Sequence, residues 1–214
     1  MADTDLPGIP DGAFAKIDDE PDRVFYAAPR FVTHIDDGAI AAVTGLYRAL
    51  FPAGGTILDL MGSWVAHLPA DVTYREVIGH GMNEAELRAN PRYDRWFVQD
   101  LNADATLPLD AGSLDGVGVC VSVQYLQHPV AVFREVRRAL KPGGVVAVTF
   151  SNRCFPTKAV AIWRALDDGR HQDLVALYLR QAGYDPVEAR TLVGGDEAHD
   201  PLWAVIGRAP GLAD

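Results

Sequence analysis

Residues 114–121 read LDGVGVCV and residues 145–150 read VVAVTF. Neither run alternates with polar residues, a pattern typical of strands that are buried on both faces. Between them, Pro129 stands where the first residue of a helix tolerates proline, and Lys141-Pro142-Gly143-Gly144 ends the helical pattern. Two buried strands joined by a helix predict a parallel sheet covered by helices on both sides.

Strand-like and helix-like hydrophobic patterns continue to alternate before and after this unit. The predicted strands are residues 56–61, 74–79, 96–100, 114–121, 145–150, 186–193 and 202–208. The predicted helices are residues 40–50, 83–88, 129–140, 157–167 and 171–182. Such sheets bind ligands beyond the carboxyl ends of their strands, so the residues that directly follow each strand are the candidates for a site.

Length, charge and cysteine content exclude several classes of protein. The chain has 214 residues and a formal charge of −10, from 19 basic and 29 acidic side chains. This length predicts one domain, and the acidic balance argues against an extended nucleic-acid interface. Only two cysteines occur, which excludes a disulfide scaffold and a cysteine-rich zinc site. No signal-peptide pattern and no membrane-spanning run is present, which favours a cytoplasmic protein without a membrane partner.

The chain divides into three segments of different character. Residues 1–24 are rich in proline, glycine and acidic residues, and are predicted to form a flexible or extended tail that packs only in part. Residues 25–54 form a lead-in segment and a helix. Residues 55–210 contain the predicted sheet.

Four stretches, in the order strand, loop, helix and turn, resemble the class I S-adenosylmethionine-dependent methyltransferases that act on small molecules. They are Leu114-Asp115-Gly116-Val117, Tyr125-Leu126, Phe133-Arg134-Glu135-Val136 and Leu140-Lys141-Pro142-Gly143-Gly144. The resemblance covers roughly residues 39–209. It implies an α/β fold: a single Rossmann-like domain with a mostly parallel seven-stranded sheet and helices on both faces. It also implies S-adenosyl-L-methionine as the cofactor, with S-adenosyl-L-homocysteine as its product.

A closer resemblance is to a poorly described subgroup of methyltransferase-like proteins from plants, algae and bacteria. The stretches that carry it are PRFVTHID at 29–36, SWVAH at 63–67, GMNE at 81–84 and FSNRCF at 150–155. This closer resemblance supports the predicted fold but indicates no particular substrate or reaction.

The loop after the first predicted strand departs from the family pattern of an acid followed by three alternating glycines. Residues 59–65 read DLMGSWV, so Met61, Ser63 and Val65 hold the three glycine positions and Gly62 is shifted by one. Glycine matters there because backbone without a Cβ can approach a ligand closely and adopt positive φ. Trp64 either narrows the cofactor pocket or forms one of its walls. The resemblance implies cofactor contacts from Asp59, Met61, Gly62 and Ser63.

The second strand end also departs from the family. An acid usually stands there and accepts hydrogen bonds from the ribose hydroxyls. Here His80 or Gly81 holds that place. Asn83 or Glu84 would supply a substitute acceptor from one turn further on.

The third and fourth strand ends supply the remaining cofactor contacts and two candidate bases. Asp100-Leu101 resembles the pair that holds the adenine amino group and packs the adenine ring. By the same resemblance, Ser122 contacts the methionine part of the cofactor. Tyr125 and His128 follow on the acceptor side; histidine titrates near neutral pH, whereas tyrosine would need a lowered pKa. The alternative is that Tyr125 packs under the next helix and His128 lies at the surface.

Polar residues in three other places are candidates for binding the acceptor. Arg153 would clamp a carboxylate or phosphate, and Asn152 would orient an amide or hydroxyl. The alternative is that Arg153 pairs with an acid such as Asp59 or Asp100. The resemblance implies that Gln124 lies in the loop that faces the acceptor, and that Arg30 and His34 belong to a leading segment that lies over the cofactor as a lid. No metal site is predicted, because the acids that follow His34 are explained by a helix cap.

These patterns support two hypotheses from different classes. The first is an enzyme that transfers a methyl group from S-adenosyl-L-methionine to an oxygen, nitrogen or sulfur atom of a small-molecule acceptor. The second is a protein that keeps the fold but, with an altered glycine loop, acts as a binding or regulatory module without methyl transfer. Neither involves a nucleic acid, and the oligomeric state is left open between a monomer and a homodimer.

Overall fold

The computed structural model describes residue 6, residues 8–195 and residues 199–211. Its strands are β1 (Thr56–Leu60), β2 (Glu76–Gly81), β3 (Arg95–Val98), β4 (Leu114–Cys120), β5 (Leu140–Phe150), β6 (Val187–Val193) and β7 (Leu202–Arg208). Its helices are α1 (Asp22–Phe25), α2 (Asp37–Leu50), α3 (Glu84–Ala89), α4 (Pro129–Ala139), α5 (Ala161–Ala165) and α6 (Asp168–Gln181). None of the described helices is both long and apolar enough to cross a membrane.

The seven strands form one sheet in the order β3-β2-β1-β4-β5-β7-β6. All neighbouring pairs from β3 to β5 are parallel. β7 is antiparallel to both of its neighbours, β5 and β6. The mostly parallel Rossmann-like sheet predicted from the sequence is therefore confirmed. Its strand order reverses between β1 and β4, the position at which such sheets bind ligands.

Helices cover both faces of the sheet because its central strands are apolar on both sides. All five residues of β1 are buried, and so are the last seven of β5. α4 and α6 pack on one face through Phe133 and Leu179, and α2 packs on the other through Val43 and Tyr47. This packing fixes the carboxyl ends of β1 and β4 in the middle of the molecule.

One segment differs from the expected arrangement. The helix predicted at residues 157–167 is reduced to α5, because the segment before it turns and the Val160 N–H donates to the Gln124 carbonyl at 3.0 Å. The described residues 61–75, which connect β1 to β2, contain no helix. The loop after β1 is therefore shaped by its neighbours in the sheet, and no helix begins within it.

The N-terminal arm, residues 8–21, packs against the segment that follows β5. The Ala161 N–H donates to the Ala15 carbonyl at 2.8 Å, and the Ile162 N–H donates to the Ala13 carbonyl at 2.7 Å. Of the tail predicted at residues 1–24, residues 1–5 and 7 lie outside the described residues. The described part of the arm is attached by backbone hydrogen bonds.

Lys158 anchors the arm from inside the protein. Its side chain is 0% exposed, and its ammonium donates to the Glu20 carbonyl at 2.8 Å. It also pairs with the carboxylates of Asp18 at 3.1 Å and Asp22 at 3.3 Å. Lys16 contacts the same Asp22 carboxylate. Lys158 therefore joins the arm, and Asp22 at the start of α1, to the core through charge.

We expect Lys158→Met to lower the free energy of unfolding by roughly 3 kcal/mol, because it leaves buried carboxylate without one of its cations. Urea unfolding gives the loss, and trypsin cleavage after Arg23 reports whether the arm is released. The matched control is Arg88→Met, which removes an exposed ion pair with Glu84 and should cost less than about 1 kcal/mol. Equal losses in the two variants would contradict the anchoring role.

Candidate functional site

A cavity of about 390 Å³ opens beyond the carboxyl ends of the central strands. Lead-in residues between 26 and 35 and the loop 153–155 form its other side. The predicted site residues that line it are Arg30, His34, Asp59, Met61, Gly62, Ser63, His80, Gly81, Asn83, Asp100, Leu101, Ser122, Tyr125 and Arg153. The predicted residues outside its lining are Gln124, His128 and Asn152.

Two residues that line the cavity hold a backbone conformation that favours glycine. Met61 directly follows β1 and has φ 59°, and Val121 directly follows β4 and has φ 50°. Such a conformation costs a residue with a Cβ roughly 1–3 kcal/mol, and is rare for a β-branched one. Met61 therefore keeps the backbone that the family pattern obtains from its first glycine, although the side chain differs.

His80 supports this loop from β2. Its Nδ1 accepts from the Met61 N–H at 3.0 Å, and its carbonyl accepts from the Gly62 N–H at 2.7 Å. Its Nε2 bonds the Gln99 carbonyl at 3.1 Å. Burial lowers the pKa of His80 to about 4, so the ring is neutral at pH 7. Both ring nitrogens are used in joining the ends of β1, β2 and β3, which makes His80 a support for the loop.

Trp64 does not belong to the cavity lining. Its indole N–H donates to the Val32 carbonyl at 3.0 Å, and its ring meets the edge of Phe31 at 6.3 Å between centroids. The side chain thus fastens the lead-in segment to the loop after β1. Neither of the two roles considered for it from the sequence, narrowing the pocket or forming its wall, describes this position.

Asp59 is a buried carboxylate at the floor of the cavity, 6% exposed. It accepts one hydrogen bond, from the Tyr93 hydroxyl at 2.7 Å. Burial raises the pKa of Asp59 to about 6, and the Tyr93 hydrogen bond opposes that rise. Within the described part of the chain, no basic side chain influences or pairs with it. The site therefore presents negative charge that no described basic side chain neutralises.

The first turn of α3 lies beside the cavity and joins two other segments to it. Asn83 caps α3 with its side-chain oxygen and donates its amide to the Tyr26 carbonyl at 3.0 Å. Glu86 accepts from the Arg30 N–H at 2.6 Å and from the Ser63 hydroxyl at 2.5 Å. The substitute acid considered from the sequence, Glu84, is exposed and lies outside the lining.

The ends of β3 and β4 supply one fixed acid and one unpaired hydroxyl. The Asp100 carboxylate accepts from the Asn102 N–H at 3.0 Å, which holds it in a turn at the cavity. Leu101 beside it is buried. Ser122 is buried as well, and its hydroxyl has no hydrogen-bond partner among the described residues. An unpaired buried hydroxyl costs about 1–3 kcal/mol, which a ligand would recover by bonding to it.

The two predicted bases occupy different positions relative to the cavity. The Tyr125 hydroxyl accepts from the Phe155 N–H at 2.9 Å, and burial raises the pKa of Tyr125 to about 12. Tyr125 is therefore protonated at neutral pH, and its side chain is buried where it lines the cavity. His128 is the N-cap residue of α4, outside the lining.

Two other predicted acceptor contacts serve the loops. Gln124 is 0% exposed and donates its amide to the Val121 carbonyl at 3.0 Å. Asn152 is exposed, and its side-chain oxygen accepts from the Ser151 hydroxyl at 3.2 Å. Gln124 therefore holds the strained residue Val121 in place and does not reach the cavity.

The two arginines of the cavity are already partnered. The Arg30 guanidinium donates to the Phe25 carbonyl at 2.8 Å and lies 4.5 Å from the centre of the Phe25 ring. Arg153 donates its Nε to Asp200 at 2.7 Å. Its acid partner is thus Asp200, and the pairing with Asp59 or Asp100 considered from the sequence is wrong.

Several residues that line the cavity were missed from the sequence. They are Tyr26, His67, Met82, Glu86, Asn102 and Cys120, together with Tyr93 behind Asp59. Glu86 could not be recognised from the sequence as a site residue, because Asn83 and Glu86 have the spacing of a helix capping box. Tyr93 gave no signal, since nothing local in the sequence links it to a residue 34 positions earlier.

Comparison with known proteins agrees with this architecture. Residues 60–148 match the family described as methyltransferase domain. No curated protein matches the chain in sequence.

Solved structures share the fold at low identity. The [4+2]-cyclase SpnF is 15% identical with a TM-score of 0.62, over 88% of this chain and 92% of that one. A chain from the complex between the Haloferax volcanii Trm112 methyltransferase activator and a methyltransferase is 16% identical with a TM-score of 0.59, over 82% and 92%. Phosphoethanolamine N-methyltransferase 2 of Haemonchus contortus, solved with S-adenosyl-L-methionine, is 12% identical with a TM-score of 0.57, over 79% and 52%. The chain spans about half the length of that last protein.

The matched stretch begins at the end of β1 and ends within β5. It includes the loop with Met61 and Gly62, the turn with Asp100, and Ser122. Residues 60–148 thus match a methyltransferase domain, and the strand order of the whole sheet is that of the Rossmann-like fold that these solved structures share.

Proposed function

We propose that the cavity binds S-adenosyl-L-methionine and that the protein transfers the sulfonium methyl group to an oxygen, nitrogen or sulfur atom of a small molecule. Asp59 carries this proposal. It is a buried carboxylate that lines the cavity, and no described basic side chain neutralises it. Buried charges are normally paired, so the missing cation would come from a ligand. The ammonium group of the methionine part supplies such a cation.

The remaining polar groups fit the other parts of the cofactor. Asp100 would accept from the adenine amino group, with Leu101 packed against the ring. Glu86 has lone pairs left after its two hydrogen bonds, and would accept from the ribose hydroxyls in place of the absent family acid. The unpaired Ser122 hydroxyl would bond the methionine part.

The cofactor supplies an activated methyl group, and the residues of the chain bind and orient the reactants. Holding an acceptor atom in line with the methyl group can supply most of the rate of such a transfer. His34 and His67 both line the cavity, and burial lowers the pKa of each. Both rings are thus neutral at pH 7, the state in which an imidazole can take a proton from an acceptor.

The acceptor side of the cavity is formed mainly by aromatic side chains. Tyr26, Tyr125 and Phe155 line it, and Arg30, His34 and Arg153 lie around them. A volume of about 390 Å³ lies at the small end of the range for ligand pockets, and it must also hold the cofactor. The acceptor is therefore a small molecule or one end of a larger one. The proposal places the protein in the cytoplasm, as a monomer or homodimer without a nucleic-acid or membrane partner.

The alternative, a binding or regulatory module without methyl transfer, drew its support from the altered glycine loop. Trp64 lies outside the lining, and Met61 keeps positive φ. These two positions weaken the argument that the loop is closed to the cofactor.

Calorimetric titration with S-adenosyl-L-homocysteine, after any bound nucleoside has been removed and identified by mass, tests the proposal. We expect micromolar binding at one site per chain. Folded protein that gives neither heat nor a thermal shift at millimolar ligand would contradict the proposal and favour the alternative. A screen of small acceptors with radiolabelled S-adenosyl-L-methionine then tests methyl transfer itself.

Asp100→Ala should weaken S-adenosyl-L-homocysteine binding by about 1–2 kcal/mol, the size of one lost hydrogen bond to the adenine. Calorimetry measures the change. Asp104→Ala is the matched control, because Asp104 also caps a turn in this loop but is exposed and lies outside the lining. Equal affinity of the Asp100 variant and the wild type would remove Asp100 from the site.

Asp59→Asn should stabilise the protein while it weakens cofactor binding. The folded pKa of about 6 lies above the ordinary value of 3.8, so ionisation opposes folding as pH rises between these values. The variant should gain about 1–3 kcal/mol at pH 7, and its stability should lose its dependence on pH between about 4 and 6. Thermal and urea unfolding against pH provide the measurement. A variant less stable than the wild type at pH 7 would contradict this account of Asp59.

A further inference from the structure

Tyr93 lies behind Asp59 and reaches it through space cleared by two glycines. The Tyr93 residue is 8% exposed, and its hydroxyl donates to Asp59 Oδ2 at 2.7 Å. A Cβ added at Gly79 would overlap the Tyr93 ring, and one added at Gly62 would overlap its hydroxyl. Gly79 lies in β2 and Gly62 in the loop after β1, so both elements leave room for this side chain.

The shifted glycine of the loop after β1 therefore has a use in this chain. In the family pattern, glycines admit the ligand; here Gly62 admits the tyrosine that holds the carboxylate. Met61 keeps positive φ with a side chain, so the loop retains its path without the first glycine. The altered glycine pattern and the position of Tyr93 are therefore structurally linked.

Among the described residues, the ionisable groups that interact with Asp59 from the elements around it are all acids. They are Tyr93, Tyr47 from α2 and Cys120 from β4. Burial raises the pKa of Cys120 to about 12 and the pKa values of both tyrosines well above 10.0. All three are neutral at pH 7. The Tyr93 hydroxyl is thus the one described side chain that stabilises the ionised form of Asp59.

We infer that Tyr93 is a positioning residue, whose hydroxyl holds the Asp59 carboxylate ready for the ammonium end of the cofactor and sets the pH range over which that end is bound. The inference rests on the proposed function. Loss of the hydroxyl makes Asp59 easier to protonate, and a protonated Asp59 has no charge with which to attract an ammonium group. The resulting loss of affinity for the ammonium-bearing ligand is largest just below neutral pH and disappears in mild base.

Tyr93→Phe tests the inference through the pH dependence of S-adenosyl-L-homocysteine binding. One lost hydrogen bond moves the protonation midpoint of Asp59 up by about one pH unit. From a wild-type midpoint of about 6, the variant should bind about five-fold more weakly at pH 6 and within about two-fold of the wild type at pH 8. The ligand's own amine stays protonated over this range, and a comparison of two proteins at each pH cancels any residual effect.

A second ligand distinguishes positioning from general damage. 5′-Methylthioadenosine keeps the adenine and ribose but lacks the ammonium group, so its affinity should be the same for both proteins at every pH. Tyr74→Phe is the matched control, because it removes a buried hydroxyl that has no hydrogen-bond partner among the described residues and lies outside the cavity lining. This control variant should bind both ligands with the affinity of the wild type.

Three results would overturn the inference. Identical pH profiles for Tyr93→Phe and the wild type would do so while leaving the proposed function intact. An equal loss of affinity for both ligands at all pH values would also overturn the inference. Failure of the wild type to bind either ligand would overturn the proposed function as well. If Tyr93→Phe does not fold, Asp59→Asn tests the same link: the pH dependence of S-adenosyl-L-homocysteine binding between pH 5 and 8 should vanish, and its persistence would count against Asp59 as its source.

Discussion

The carboxylate of Asp59 lies buried at the point where the strand order reverses, with one hydrogen bond and no described cation beside it. A carboxylate in this position opposes folding unless a ligand brings the opposite charge. Asp59 stays buried despite this cost because β1 is buried on both faces and holds Asp59 near its carboxyl end. Under the proposed function, a cationic ligand would offset this unfavourable burial when it binds beside Asp59.

The elements around Asp59 maintain this arrangement by means that differ from the family pattern. His80 holds the loop after β1 with both ring nitrogens, and Gly62 makes room for Tyr93. Glu86 links the lead-in segment to Ser63. The fold alone does not decide the reaction, because its structural neighbours include a [4+2]-cyclase as well as an N-methyltransferase. The function of this chain follows from its site.

The sheet could be predicted from the sequence, because continuous apolar runs separated by helical periods specify a parallel sheet and the positions of its loops. The parts of the site at the ends of strands, such as Asp59 near the end of β1 and Asp100 after β3, could be located for the same reason. Tyr93 could not, since its link to Asp59 depends on three-dimensional clearance at Gly62 and Gly79. The protonation of Tyr125 was also beyond sequence reasoning, because burial sets it.

The most direct test of this account is to measure the pKa of Asp59 by carbon-13 NMR titration of its side-chain carboxyl, with and without S-adenosyl-L-homocysteine. The account predicts a pKa of about 6 in the free protein, and a clear fall when the ligand's ammonium group arrives. A pKa near 4 in the free protein, or one that does not change on binding, would contradict the claim that Asp59 is a buried acid awaiting a cation.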